Sequence, residues 1–131
     1  MAAWPDPDHA SAPDIFDATC SARHALELVA SKWSVLILSA LADGPTRNAD
    51  LLCRIGGISQ KMLTQTLRDL ERNGLVLRHD FQTARPSVEY RLSPLGLSLS
   101  DTLAALDRWA ARNFPALDAA REEFDAKENE G

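Results

Sequence analysis

The spacing of apolar residues changes abruptly after Asn73-Gly74. Before this dipeptide, leucines recur three and four residues apart, as on one face of an amphipathic helix. After it, apolar and polar residues alternate over 75–81 and again over 88–92, which is typical of two half-buried strands joined by a loop. The sequence therefore predicts a helix followed directly by a β-hairpin. The leucines are Leu63, Leu67 and Leu70.

Helices are also predicted upstream of this point, with signals at their ends. Residues 22–30 and 32–41 have helical spacing, the second is apolar nearly all round, and Gly44-Pro45 stops it. Thr46 is predicted to cap a short helix over 47–55, and Ser59 the longer helix over 59–73. Two helices joined by a tight glycine turn indicate a helix-turn-helix, whose second helix enters the DNA major groove.

Downstream of the hairpin, Ser93-Pro94 predicts the start of a long helix. Its end is expected near Asn113, because Phe114 precedes Pro115, and an amphipathic segment with an acidic tail follows. The apolar stripe of this helix is longer than a small domain needs to cover, and Trp109 lies near its end. We therefore expect a constitutive homodimer formed by residues outside 44–92.

The 131 residues fit one domain. We expect a flexible arm over 1–13, which has three prolines and no periodicity, and a single winged helix-turn-helix domain over 14–131. Its DNA-reading core would span about 44–92, and dimerisation helices about 14–32 and 94–128. The predicted fold class is mainly α with a small β-hairpin.

The charge of the chain is unevenly distributed. The net charge is −5, but residues 44–93 contain eight basic and five acidic side chains, a net of +3. A basic middle in an acidic chain is expected where one part meets phosphates, although a solvated basic face would look the same.

The outward face of the 59–73 helix carries the side chains suited to reading DNA. Glutamine pairs with adenine edges, arginine and lysine pair with guanine, and threonine contacts a thymine methyl or a phosphate. An ordinary amphipathic surface helix is the alternative interpretation. Arg85, next to Pro86 at the hairpin tip, is a further candidate for a groove or backbone contact. The candidates on the helix are Ser59, Gln60, Lys61, Thr64, Gln65 and Arg68.

Other functions have little support in the sequence. There is no glycine-rich phosphate loop or serine elbow, and the three histidines are scattered, so we expect no catalytic residues, metal or cofactor. No apolar run approaches the length of a membrane span, and the N-terminus does not resemble a signal peptide. We expect a cytoplasmic protein with no membrane partner. The main alternative is a winged helix used only for protein–protein contact, without an operator of its own.

Three ordered blocks resemble the HxlR-type family of bacterial transcription regulators. They are Cys20 followed by Lys32-Trp33, residues 55–71 with their continuation 73–78, and residues 86–93 with Gly96. The resemblance implies a homodimeric winged-helix regulator that binds a double-stranded, palindromic operator through the 59–73 helix. The chain departs from the family pattern at Ser21, at Ala30-Ser31 and at Asn48.

The two cysteines have different predicted roles. Cys20 lies just before a helix, whose N-terminal partial charge favours a thiolate, and Arg23 is one turn along. Some members of the resembling family sense oxidants or electrophiles through a cysteine at this place, so Cys20 is the candidate redox sensor. A half-buried, inert thiol is the alternative. Cys53, beside Leu51 and Leu52, is interpreted as structural.

Overall fold

The fold was analysed in a computed structural model, which describes residues 14–82 and 87–130. It is mainly helical with one small antiparallel sheet, as the sequence predicts. The proposed arm over 1–13 lies outside the described residues. The elements in chain order are α1 (Ser21–Ala30), α2 (Lys32–Leu41), β1 (Thr46–Arg47), α3 (Asn48–Arg54), α4 (Gln60–Arg72), β2 (Val76–Asp80), β3 (Val88–Leu92), α5 (Pro94–Leu97) and α6 (Ser100–Glu130).

Helix α2 forms the centre of the core. Its Ile37 and Leu38 are completely buried, because α1, α4, α6 and β3 all pack against this helix. The predicted bounds 32–41 are confirmed, and Ser31 caps the helix by accepting a hydrogen bond from the Ser34 amide. No single helix in the described ranges is long and apolar enough to cross a membrane. Helices α1 and α2 reach that length only together, across a bend of 74°.

The sheet contains one strand more than the predicted hairpin, in the order β1-β3-β2. Thr46 was expected to cap α3, but this prediction is wrong. Thr46 pairs with Tyr90 and Arg47 with Glu89, so Thr46 lies in β1 and Arg47 occupies the N-cap position. A two-residue strand has no periodicity that a sequence could reveal, because its pairing depends on a partner more than 40 residues away.

The predicted break near Asn113 is also wrong. Short helix α5 ends at Leu97, and α6 then runs unbroken from Ser100 to Glu130 with Pro115 inside it. A proline removes one backbone hydrogen bond but does not always end a helix. Good helix formers surround Pro115, and the ion pairs Arg121–Asp118 and Lys127–Glu123 support the following turns.

Gly96 fixes how α5 packs on the rest of the domain. A Cβ atom at this position would lie 2.2 Å from the backbone oxygen of Leu75. Ser93, which is buried, holds the same junction. Its hydroxyl donates to the Gly74 carbonyl and accepts from the Gly96 amide. The residue at 96 therefore has to be glycine for α5 to contact the turn between α4 and β2.

We predict that Gly96→Ala lowers the free energy of unfolding by about 1–3 kcal/mol, because the added methyl group clashes with backbone that cannot move aside cheaply. Chemical denaturation followed by circular dichroism measures this change. Gly56→Ala is the matched control, since a Cβ at Gly56 meets nothing within 4 Å. Equal stability of the two variants would contradict the packing described.

Candidate nucleic-acid interface

The turn between α3 and α4 has the geometry of a helix-turn-helix. Gly57 has a φ of +84°, a backbone conformation that glycine adopts without strain. Ile58 is buried and anchors the turn to the core. The Ser59 hydroxyl accepts a hydrogen bond from the Met62 amide at 3.0 Å, which caps α4 as the sequence predicts.

Helix α4 has one buried side and one exposed side. Leu63, Leu67 and Leu70 are almost completely buried, whereas the neighbouring Met62 is partly exposed. On the opposite side an open groove is lined by polar residues along the length of the helix. The five predicted reading residues on this side are all exposed and adjoin one another: Gln60, Lys61, Thr64, Gln65 and Arg68.

A second open groove, of about 1060 Å³, separates α4 from the sheet. Gln60, Thr64 and Arg68 line its α4 side. Residues that sequence reasoning did not single out as site residues line the other side. Pairing of β1 with β3 places the first of them at the start of α3, and pairing of β2 with β3 places the others. These residues include Arg47, Asn48, Arg78 and Phe81. We call the combined surface of both grooves the α4 groove.

Local contacts fix several side chains of the α4 groove. The Gln60 side-chain amide donates to the Thr64 hydroxyl at 2.9 Å and to the Asn48 side-chain oxygen at 3.4 Å. The Arg47 guanidinium lies over the Phe81 ring, 5.7 Å from its centroid. A cation held above a ring in this way keeps its charge while losing freedom of movement.

The hairpin of β2 and β3 forms the wing, and a hydrogen bond from the Phe81 amide to the Ser87 carbonyl at 3.1 Å continues the pairing into its loop. At the end of β2, the Asp80 carboxylate accepts a hydrogen bond from the Gln82 amide, and Gln82 has a φ of +50°. Arg85, the predicted wing contact, lies outside the described residues.

Some basic side chains of the predicted DNA-reading core are paired with acidic groups, and others are not. Arg54 forms a 2.7 Å ion pair with Asp43 and also donates to the Ala40 carbonyl. It therefore links α3 to the C-terminal end of α2. Lys61 and Arg68 form no salt bridge with any described residue. Asp69 and Glu71 also line the groove, towards the C-terminal end of α4. Arg68 and Arg72 line the same end, so the charges there balance, and Lys61 gives the face of the helix a net positive charge.

Cys20 occupies the N-cap position of α1 and is half-buried. The turn before it is held by Asp17, whose carboxylate accepts from both the amide and the hydroxyl of Thr19. These hydrogen bonds hold the pKa of Asp17 below its ordinary value. Arg23 donates to the Phe16 carbonyl and pairs with Glu27, so its charge is partly balanced by groups other than the thiol.

Cys53, which was interpreted from the sequence as structural, is exposed on α3. Neither cysteine forms a disulfide in the described chain. Within residues 14–82 and 87–130, no three His, Cys, Asp or Glu side chains are grouped closely enough to hold a metal ion.

A helix-turn-helix whose second helix is exposed along a polar face, followed by a two-stranded wing, defines the winged helix-turn-helix class of transcription regulators. Residues 28–118 match the HxlR-like helix-turn-helix family, and the chain belongs to that family. The family that the sequence blocks resemble is thereby confirmed.

Named relatives agree with this assignment. The chain is 44% identical over 110 residues to the HTH-type transcriptional regulator YtfH of Escherichia coli, covering 84% of this chain and 87% of YtfH. It is 42% identical to YkvN of Bacillus subtilis over 91 residues, which cover 70% of this chain and 77% of YkvN. This chain is therefore a transcription regulator of the HxlR type.

Solved structures extend the comparison to the fold. The transcriptional regulator ytfH from Salmonella typhimurium superposes with a TM-score of 0.79 at 44% identity, over 84% of this chain and 98% of that one. The reduced form of the redox regulator HypR has a TM-score of 0.69 at 28% identity, over 75% and 97%. YodB from B. subtilis, in its reduced form, has a TM-score of 0.59 at 34% identity, over 67% and 86%.

Proposed function

We propose that this regulator binds a palindromic DNA operator as a homodimer in the cytoplasm, with α4 of each protomer in the major groove. The observation that carries the proposal is the exposed polar face of α4, which the buried leucines on its other side direct outward. Membership of a helix-turn-helix regulator family supports the same function.

The side chains of α4 divide into two kinds of contact. Arg68 and Lys61 supply hydrogen-bond donors that match the two acceptors of a guanine edge, and Gln60 and Gln65 supply amides. The N-terminus of α4, with the Ser59 hydroxyl, presents backbone N–H groups suited to a phosphate. Asp69 and Glu71 would disfavour phosphates at the C-terminal end of α4, although Arg72 offsets part of their charge.

Basic side chains on the sheet are positioned to contact phosphates flanking the groove. Arg47 shares the α4 groove with Arg68 and is held above Phe81. Arg85, which precedes Pro86 in the sequence between β2 and β3, is proposed to contact the neighbouring minor groove or backbone. Contacts of this kind add affinity for any sequence and place the reading helix in register.

We predict that Lys61→Ala and Arg68→Ala each weaken binding to DNA from upstream of the protein's own coding sequence, by about 1–3 kcal/mol for a lost base contact. Fluorescence anisotropy at several salt concentrations measures both the affinity and the number of phosphates neutralised. Lys127→Ala is the matched control, because Lys127 is exposed on α6, paired with Glu123 and outside the α4 groove. Wild-type affinity in both α4 variants would contradict the proposal.

The homodimer is inferred from the apolar face of α6. Leu117 lies 11 residues after Leu106, and Phe124 lies 18 residues after it. Both distances are close to whole numbers of helical turns, so the three side chains lie on one side of α6. Each is about half or more exposed, as is Trp109, and an apolar stripe of this extent is unusual on a monomer. A two-fold dimer would set two α4 helices about 34 Å apart, one helical turn of DNA.

We predict that Leu117→Glu converts the protein from dimer to monomer at micromolar concentration, because a charge in an apolar interface loses its hydration without gaining a partner. Sedimentation equilibrium measures the mass. Ala119→Glu, which adds the same charge on the opposite side of α6, should remain dimeric. A wild-type chain that sediments as a monomer would disprove the homodimer itself.

Cys20 is proposed as a sensor of oxidants or reactive electrophiles. Its half-buried place at the start of α1 leaves the thiol partly accessible beside the helix N-terminus. Structural neighbours support a cysteine-based response, since HypR was solved in reduced and oxidised forms and YodB after diamide treatment. Those states are properties of HypR and YodB.

We predict that Cys20→Ser leaves operator affinity within about twofold of wild type but abolishes any change in DNA binding on treatment with diamide or a quinone, since a hydroxyl cannot undergo thiol chemistry. Anisotropy titrations with and without oxidant measure both properties. A parallel Cys53→Ser variant shows whether the exposed second thiol contributes. A full oxidant response in Cys20→Ser would rule out Cys20 as the sensor.

A further inference from the structure

We propose that Asn48 is a positioning residue that decides which base the regulator reads through Gln60 and Thr64. The inference rests on the proposed DNA-binding function and adds to it one base preference and the residue that sets it. Asn48 is the first residue of α3 and Gln60 the first residue of α4, so the two meet where the helix-turn-helix opens towards the α4 groove.

The side-chain amide of Gln60 is held by two hydrogen bonds. Its nitrogen donates to the Thr64 hydroxyl oxygen at 2.9 Å and to the Asn48 side-chain oxygen at 3.4 Å. A glutamine amide has two N–H groups, so both donors are used within the protein. Gln60 therefore cannot form the two-bond contact with adenine that a free glutamine makes.

The groups that remain available form a simple pattern. Gln60 presents its carbonyl oxygen as an acceptor, while Thr64, whose oxygen receives the amide, keeps its hydroxyl proton as a donor. Both side chains are exposed and line the α4 groove. An acceptor thus stands beside a donor on the reading face.

Among the major-groove edges, adenine is the complement of this pair. It offers the N6 amino group as a donor and N7 as an acceptor, whereas cytosine offers the donor alone. Guanine presents two acceptors, and thymine presents one acceptor and a methyl group. A Gln60 side chain released from Asn48 regains a free N–H and can turn its amide, so besides adenine it can also offer donors to the acceptors of guanine or thymine, and discrimination in favour of adenine is relaxed.

Asn48 can hold Gln60 because its own position is fixed from two directions. The preceding residues Thr46 and Arg47 pair with Tyr90 and Glu89 in β3, and Tyr90 is buried. The following helix α3 is anchored in the core by Leu51. The backbone that carries the Asn48 side chain is thus fixed to the framework of the domain.

The test is selection of bound sequences from a randomised double-stranded DNA pool, followed by sequencing. We expect the wild-type protein to select adenine at one position of each half-site, and Gln60→Ala to remove that preference, which identifies the position. Asn48→Ala should lower the preference for adenine there by roughly two- to tenfold, the effect of one hydrogen bond. Preferences at the other positions should stay unchanged.

Two further variants separate positioning from a structural role. Asn48→Asp keeps an acceptor for the Gln60 amide, so it should retain the adenine preference while its negative charge weakens binding to every sequence. Asn113→Ala removes the same side chain from α6, outside the α4 groove, and should select the wild-type motif. Thermal unfolding confirms that each variant is folded before selection.

The outcomes distinguish this inference from the proposed function. A wild-type protein that selects a motif without adenine at the Gln60 position would overturn the inference alone. So would an Asn48→Ala variant that keeps the wild-type preference, or one that loses affinity equally for all sequences. A folded wild-type protein that selects no motif at all would overturn both.

Discussion

The packing of α4 against α2 is the interaction on which the rest of the structure depends. Leu63, Leu67 and Leu70 are buried with Ile37 and Leu38 of α2, and burial of each such side chain contributes about 1.5–3 kcal/mol. Because a helix is rigid, placing this stripe in the core also fixes the opposite side. The outward direction of the polar face is therefore a consequence of core packing. A variant that loosens the core would also make the orientation of this face less well defined.

The pairing of β1 with β3 is the second constraint. It joins residues 46–47 to residues 89–90 and so fixes the start of α3 against the sheet, where the Asn48 side chain meets that of Gln60. Arg47 and Asn48 line the α4 groove because of this contact, and there Arg47 meets Phe81 of the hairpin. Strand β1 therefore places two side chains in the groove. These are Arg47, which lies over the Phe81 ring, and the following Asn48, which accepts a hydrogen bond from Gln60.

Local signals in the sequence were sufficient for the parts of the fold that local chemistry determines. The bounds of α2, the Ser59 cap and the exposed face of α4 follow from apolar spacing and capping residues, and the structure agrees. The errors arose where distant contacts decide. Strand β1 depends on pairing with β3, and α6 continues through Pro115 because its neighbours favour helix strongly enough to absorb one lost hydrogen bond. Asn48 could not be found without knowing that Gln60 lies beside it.

The charge of α6 is consistent with the proposed dimer and the proposed DNA contact occupying separate surfaces. This helix carries eight acidic and four basic side chains, so it would be repelled from a phosphate backbone, while its apolar face has no partner in a single chain. Residues 44–93, which contain the predicted DNA-reading core, carry a net positive charge. A dimer joined through the apolar face of α6 would leave the acidic side chains in solvent and both α4 grooves free. The acidic net charge of the chain, which first argues against a nucleic-acid partner, is thus compatible with one because the charges lie on different elements.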